Sequence, residues 1–160
     1  MEQLRPITQT GPTNDSSFVQ DQSNDKPTRN MVVGKLICAS CTTGWLDWIH
    51  GDLWLLPDGL LRVRGGLGAT IGHANQRTVP EDIGERQFGA GEVERLQREH
   101  KTNLWIPANE IVSAGIRNGP LSGRLALTLS GGRRVKLMWL RADGASEPLK
   151  HALASWGIPL

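Results

Sequence analysis

The chain has 160 residues, of which 38% are hydrophobic, and this size and composition suit one globular domain with one core. Its formal net charge of +2 is too small to indicate nucleic-acid binding. No apolar run approaches the ~20 residues of a membrane-spanning helix, and the N-terminus lacks the apolar core of a signal peptide. We therefore expect a cytoplasmic protein with no nucleic-acid partner; the sequence leaves its oligomeric state open.

The first thirty residues are rich in Gln, Thr, Asn, Asp, Ser and Pro. Such a composition cannot bury enough apolar surface to offset the entropy of ordering. We predict a disordered N-terminal tail over 1–30 and a single folded domain over 31–160.

The folded part is expected to begin with a buried strand over Met31–Thr42. A hairpin follows, with strands Asp52–Leu56 and Leu60–Arg64 around a Pro-Asp-Gly turn. Alternation in its second strand puts Arg62 and Arg64 on one face, opposite Leu61 and Val63.

A tryptophan-rich segment, Gly44–Gly51, separates these strands. Its large apolar residues Trp45, Leu46, Trp48 and Ile49 crowd into five positions between glycines, which favours one or two helical turns. Trp45, Trp48 and Ile49 are candidates for contact with a partner or a membrane, because neighbouring exposed tryptophans are typical of such sites. The alternative is that the segment plugs one end of the sheet.

Residues 66–103 form a charged insertion between strands. Ala69–Gly72 is a candidate short strand. Within the insertion, Glu92–Lys101 has acidic residues near its start and basic residues near its end, as the dipole of a helix prefers. We predict a helix there, mostly exposed to solvent because only Val93 and Leu96 are apolar.

The C-terminal part carries the clearest pattern. Arg124–Leu129 and Arg134–Trp139 alternate apolar and polar residues, which predicts a hairpin with one buried face. A three-residue loop, Gly131–Arg133, keeps that face apolar and sets Leu129 opposite Val135 and Leu125 opposite Trp139.

A terminal helix is expected after this hairpin. Ser146 is a good N-cap, and Gly157 followed by Pro159 ends the helix. Leu149, Ala152, Leu153 and Trp156 share one helical face, which we expect to pack against the sheet, with Trp156 buried.

These elements resemble the pleckstrin-homology-like (PH-like) superfold, especially its bacterial PH and GRAM-like members. The resemblance rests on Leu104–Pro107 with Glu110-Ile111, on the Arg124–Trp139 hairpin, and on the helix Ser146–Trp156. It covers 104–160 and, less specifically, 31–65. It implies a mainly β fold, a bent antiparallel sheet or partly open barrel with a C-terminal capping helix, to which this chain adds the charged helical insertion.

The resemblance also bears on ligands, because PH domains that hold phosphoinositides usually place basic residues around their first hairpin loop. The equivalent loop here, Trp45–Ile49, has no Lys or Arg. Other cations are available: seven basic and three acidic residues lie from 102 onward. Five cations are candidate anionic-ligand residues, and the alternative is a solvated sheet face that discourages aggregation: Arg62, Arg64, Arg124, Arg134 and Lys136.

No motif in the sequence indicates catalysis, a cofactor or a phosphate loop. Cys38 and Cys41 form a lone C-x-x-C, which is a weak candidate for a metal or thiol-redox site because it lacks a second ligand pair. The alternative is a pair of small buried residues at a strand end.

The sequence therefore predicts a non-enzymatic binding or adaptor module that engages a protein partner. One alternative is peripheral binding to anionic lipid headgroups, which would place the protein at a membrane surface. The other is a small metal or thiol-redox protein.

Overall fold

The computed structural model describes residues 31–44, 50–65 and 84–160. Within these ranges the protein is mainly β, with two antiparallel sheets and two α-helices, and the sheets do not close into a barrel. Three of the sequence predictions concern segments outside the described residues: the tail over 1–30, the contact candidates Trp45, Trp48 and Ile49, and the strand over 69–72.

The first sheet contains five strands in the order β4-β1-β2-β3-β5, and the second contains three in the order β6-β7-β8. The strands are β1 Val32–Cys41, β2 Gly51–Leu56, β3 Gly59–Arg64, β4 Glu85–Phe88, β5 Leu104–Pro107, β6 Ile111–Asn118, β7 Ser122–Leu129 and β8 Arg134–Leu140, and the helices are α1 Glu92–Glu99 and α2 Ser146–Ser155.

The first sheet buries both of its faces. One face packs on the second sheet and α2, and contributes Leu53, Leu60 and Ile106 to the main core. The other face carries Trp54 and Leu61 into a second cluster with residues of β4 and α1. This explains why β2 and β3 are buried at almost every position instead of alternating between buried and exposed residues.

Arg62 lies inside this arrangement, and its side chain is fully buried. Its Nη1 donates to the Thr102 carbonyl at 2.6 Å, and its Nε donates to the Cys41 carbonyl at 3.3 Å. The predicted solvent-facing polar face of Arg62 and Arg64 is therefore wrong for Arg62. The physical reason is that the side of β3 that carries Arg62 also carries Leu60, and the second sheet covers it.

Strand β1 bends from the first sheet towards the second. Its pairing with β2 shifts register between Leu36 and Cys38 and again between Cys38 and Cys41. Bulges of this kind increase twist and redirect a strand. Beyond the second shift, Thr42 bridges Met138 of β8, with N···O distances of 2.8 and 2.9 Å. The bent strand thus joins the two sheets along one edge.

The charged segment contains the predicted helix, now α1, which ends at Glu99. Leu96 is its buried residue, and the helix is otherwise mostly exposed, as expected. Strand β4 was not predicted. It pairs with the start of β1 and buries Phe88 in the second cluster. Asn103 joins the end of α1 to β3, because its Nδ2 donates to the Leu96 carbonyl and its Oδ1 accepts from Arg64 N–H.

The β7–β8 hairpin has the predicted buried face and the predicted three-residue loop length, but its pairing is displaced by two residues. Leu125 lies opposite Leu137 and Leu127 opposite Val135. The loop is Ser130–Gly132, closed by Leu129 N–H on the Arg133 carbonyl, and Gly132 has a φ of 76°. A displacement of two residues preserves the faces.

The partner of Trp139 in this register is Gly123. Any other residue at position 123 would place its side chain against the Trp139 ring. A Cβ on Gly123 would fall within 2.7 Å of Cζ2 of the buried Trp139 ring and closer still to two other ring atoms. The indole therefore lies over a position that only glycine fits without rearrangement. This contact helps to fix which residues of β7 and β8 face each other.

The terminal helix α2 caps the main core through Leu149 and Leu153, both fully buried. It begins at Ser146, whose Oγ donates to Asn118 Oδ1 at 2.5 Å, and its N-cap is Ala145 instead of Ser146. Gly157 ends it with a φ of 70°, as predicted. Trp156 is half-buried, not fully buried as expected, because its ring reaches over the edge of the core and donates from Nε1 to the Pro57 carbonyl.

Candidate functional site

The outward side chains of the second sheet carry four cations. Strand alternation turns the apolar residues of β6, β7 and β8 into the core, and turns the residues between them to the opposite side. We call this side the basic face: it consists of Arg117, Arg124, Arg134 and Lys136, with Gly115 and Ala126 at its centre.

The register of the sheet sets the cations beside one another. Arg117 on β6 lies directly opposite Arg124 on β7, and Gly115 lies opposite Ala126, which in turn lies opposite Lys136 on β8. Directly opposed side chains of a sheet have Cβ atoms about 4.5–5.5 Å apart, and like charges in that arrangement are destabilising. The pair of arginines is thus an electrostatic cost to the folded protein.

Nothing nearby in the described structure neutralises this charge. Strands β6, β7 and β8 contain no Asp or Glu. Across residues 31–44, 50–65 and 84–160, no acidic side chain pairs with a cation of the basic face. By contrast, Arg86 and Arg95 on the charged segment bond to Glu92 and Glu99. Within the described part of the chain, the basic face therefore carries four positive charges without a paired acidic group.

Two acidic groups of the neighbouring elements are engaged elsewhere. Asp143, just after β8, accepts a hydrogen bond from Ser40 of β1. Glu147 on α2 pairs with Lys150 at 2.7 Å, and this hydrogen bond and charge lower the pKa of its carboxyl. Glu110, which precedes β6, is exposed, and among the described residues its carboxylate pairs with no cation of the basic face.

Of the five predicted anionic-ligand residues, the structure brings three together: Arg124, Arg134 and Lys136. It separates the other two, because Arg62 is buried and Arg64 lies in the first sheet with its Nη1 against His100 Nε2. Sequence analysis missed Arg117. The signal that could have found it is the alternation of β6, in which Arg117 occupies an outward position two residues after Gly115.

The two cysteines are free and fully buried in the main core. A hydrogen bond with Cys41, together with burial, raises the pKa of the Cys38 thiol well above its usual range. A protonated thiol is a poor nucleophile and a poor metal ligand. Among the described residues, no three His, Cys, Asp or Glu side chains are grouped as metal ligands.

We predict that these thiols react with Ellman's reagent only when the protein unfolds. In urea at pH 7, both cysteines should react with Ellman's reagent. Over the same time, the native protein should show almost no reaction. The raised pKa of Cys38 also makes the free energy of unfolding depend on pH. The stabilisation from keeping this thiol protonated is fully present below the ordinary thiol pKa of about 8.5, and it is lost as the pH rises towards the raised pKa. Rapid reaction of the native protein would instead support the thiol-redox alternative.

An open groove of about 840 Å³ lies between α2 and the uncovered end of the first sheet. Leu55, Pro57 and Trp156 give it an apolar lining, and Val33 at its border is 48% exposed. Its charges are mixed: Lys35 lies opposite Glu85 in the β1–β4 pairing, and Glu147 is the partner of Lys150. The groove therefore lacks the uniform charge of the basic face.

No known family matches the chain, and no curated protein is similar to it in sequence. Among the described helices, neither is long and apolar enough to cross a membrane.

Proposed function

We propose that the protein is a non-enzymatic binding module that holds an anionic partner on its basic face. The observation that carries this proposal is the direct opposition of Arg117 and Arg124 on a sheet face where no acidic side chain of the described residues pairs with them. An anion bridging the two guanidinium groups would convert their repulsion into paired charge-assisted hydrogen bonds. The arrangement is thus stable in the bound state and costly in the free state.

We also interpret the architecture as PH-like. A three-stranded meander followed by a terminal helix supports this interpretation, as does a helix that packs on the core between two sheets. The helix α1, which packs on the outer face of the first sheet, and the edge strand β4 are additions to that plan. Folds of this kind serve many functions, so the function is argued from the basic face alone.

The sequence favoured a protein partner, with anionic lipid as the alternative, and both can present negative charge. The shared chemistry is a surface with several anionic groups spaced like the cations of the basic face. A module of this type needs no catalytic residue, because its task is to bring its own chain, and whatever is attached to it, to that surface.

Retention on immobilised heparin, a polyanion, tests the proposal. In the variant Arg117→Gln/Arg124→Gln, the apparent affinity at low salt should fall about 30-fold, taking about 1 kcal/mol for each lost charge. The free energy of unfolding should stay constant or rise by less than ~1 kcal/mol, because a like-charge pair is removed.

The matched control removes the same charge from the other side of the molecule, with Arg98→Gln/Lys101→Gln. Both residues are exposed at the end of α1. If the control variant loses as much retention as the basic-face variant, binding depends on net charge alone and the proposal is wrong.

A further inference from the structure

We propose that the groove between α2 and the first sheet is a docking site for the N-terminal tail of the same molecule, and that Phe18 and Val19 fill it. The groove is a surface other than the basic face, so this inference does not rest on the proposed function. The tail, residues 1–30, lies outside the described residues. Three features support the docking: the open apolar lining of the groove, the place where the tail joins the fold, and the sequence of the tail.

The groove lies where the first sheet extends beyond the cover of the main core. Lys35 of β1 lies opposite Leu55 of β2 on one side of it, and α2 lines the other side with Ala152 and Trp156. Leu55 and Trp156 are only half-buried, and Pro57 is exposed. Apolar surface gathered in an open groove is typical of a binding site, because its exposure to water is unfavourable.

The tail joins the fold directly beside this groove. Met31 precedes β1, and Val33 and Lys35, which alternate on one side of β1, both line the groove. Met31 and Val33 are 54% and 48% exposed. Exposed apolar side chains therefore lie at the point where the tail meets the fold, and a tail segment that turns back there covers them together with the groove.

The tail contains one pair of adjacent large apolar residues, Phe18-Val19, and Phe18 is its only aromatic residue. Eleven residues, 20–30, separate this pair from Met31. A tether of this length gives the pair an effective concentration on the order of millimolar at the groove, and the entropy cost of closing such a loop grows only slowly with its length. A contact of modest affinity therefore forms within one molecule before it forms between molecules at micromolar concentration.

The charges near the pair also suit the groove. Among the described residues, no acidic side chain forms an ion pair with Lys35. Asp21 follows Val19 by two residues, so docking of the pair brings a carboxylate to this cation. The basic face suits the pair less well, since its centre consists of Gly115 and Ala126 and offers no large apolar side chain.

Nuclear magnetic resonance of the full chain and of the variant Phe18→Ser/Val19→Ser tests the inference. Loss of the apolar burial should weaken docking at least about tenfold. We therefore expect the amide resonances of Val33 and Leu55 and the indole resonance of Trp156 to shift in the variant, whereas that of Gly115 stays in place. A peptide of residues 14–24, added to the variant at millimolar concentration, should return the groove resonances to their positions in the full chain.

The matched control is Leu4→Ser/Ile7→Ser, which removes two apolar residues from the same tail at a greater distance from Met31. The groove resonances should not shift in this control. Both serine variants should keep full retention on heparin, so a failure of the docking leaves the proposed function intact.

Three outcomes would overturn the inference. The first is a set of groove resonances that are the same in the full chain and in Phe18→Ser/Val19→Ser. The second is an equal shift in the control. The third is a return of the shifts when unlabelled full chain is added to the labelled variant at equal micromolar concentration, because the occupant would then be the tail of a second copy.

Discussion

Replacing Phe88 by alanine is expected to lower the free energy of unfolding by about 3–5 kcal/mol, as for other buried aromatic residues. Phe88 is 1% exposed. Its ring meets Trp54 edge to face, with centroids 5.5 Å apart, and Arg86 lies 4.8 Å from its centroid. The ring also rests on Gly34, where a Cβ would come within 2.5 Å of Cε2. Truncation leaves a cavity that these neighbours cannot fill without moving.

Chemical denaturation of the variant measures this effect, with Gln87→Ala as its control. Gln87 is the exposed neighbour of Phe88 in the same short strand, so its truncation should change stability by less than ~0.5 kcal/mol. If Phe88→Ala is as mild as the control, the second cluster, formed by residues of the first sheet and α1, does not contribute to the stability of the domain.

Replacing Leu153 by alanine is expected to cost about 2–5 kcal/mol. Leu153 is fully buried on α2, within the main core that the two sheets share. Its carbonyl also accepts from Ile158 N–H at 2.9 Å, in the turn that ends the helix at Gly157. The side chain therefore fastens the helix to the core, and the backbone carbonyl fastens the terminal segment to the end of the helix.

Leu121→Ala makes a matched comparison, because the same atoms are removed from a side chain that is 81% exposed. Thermal and chemical unfolding should show a change below ~0.5 kcal/mol for Leu121→Ala. Equal losses in the two variants would contradict the placement of α2 over the core and of Leu121 at the surface.

Periodicity predicted the parts of the fold in which one face is buried. The apolar face of β7 and β8 and the helix α2 were found in this way, whereas α1 was predicted from its acidic start and basic end. The pairing of Trp139 with Gly123 instead of Leu125 depends on the space that an indole needs, which alternation cannot express. Strand β4 was missed because three of its four residues are polar and its one buried side chain is Phe88.

The candidate site was predicted in part for a similar reason. Alternation placed Arg124, Arg134 and Lys136 on one face, but Arg62 was assigned to solvent when it is buried. An arginine between apolar residues has the same sequence pattern whether its side of the strand faces solvent or is covered by another sheet. Arg117 belongs to a strand whose bulge near Val112 interrupts the alternation, so its partner across the sheet could be known only from the register.

The most direct measurement of the central claim is the change in backbone amide resonances as a short heparin fragment, a soluble polyanion, is added to labelled protein. The account predicts that the largest changes fall on Gly115, Arg124, Ala126 and Lys136, and disappear at high salt. Changes confined to the groove between α2 and the first sheet, or an unchanged basic face while the protein binds the heparin fragment, would contradict it.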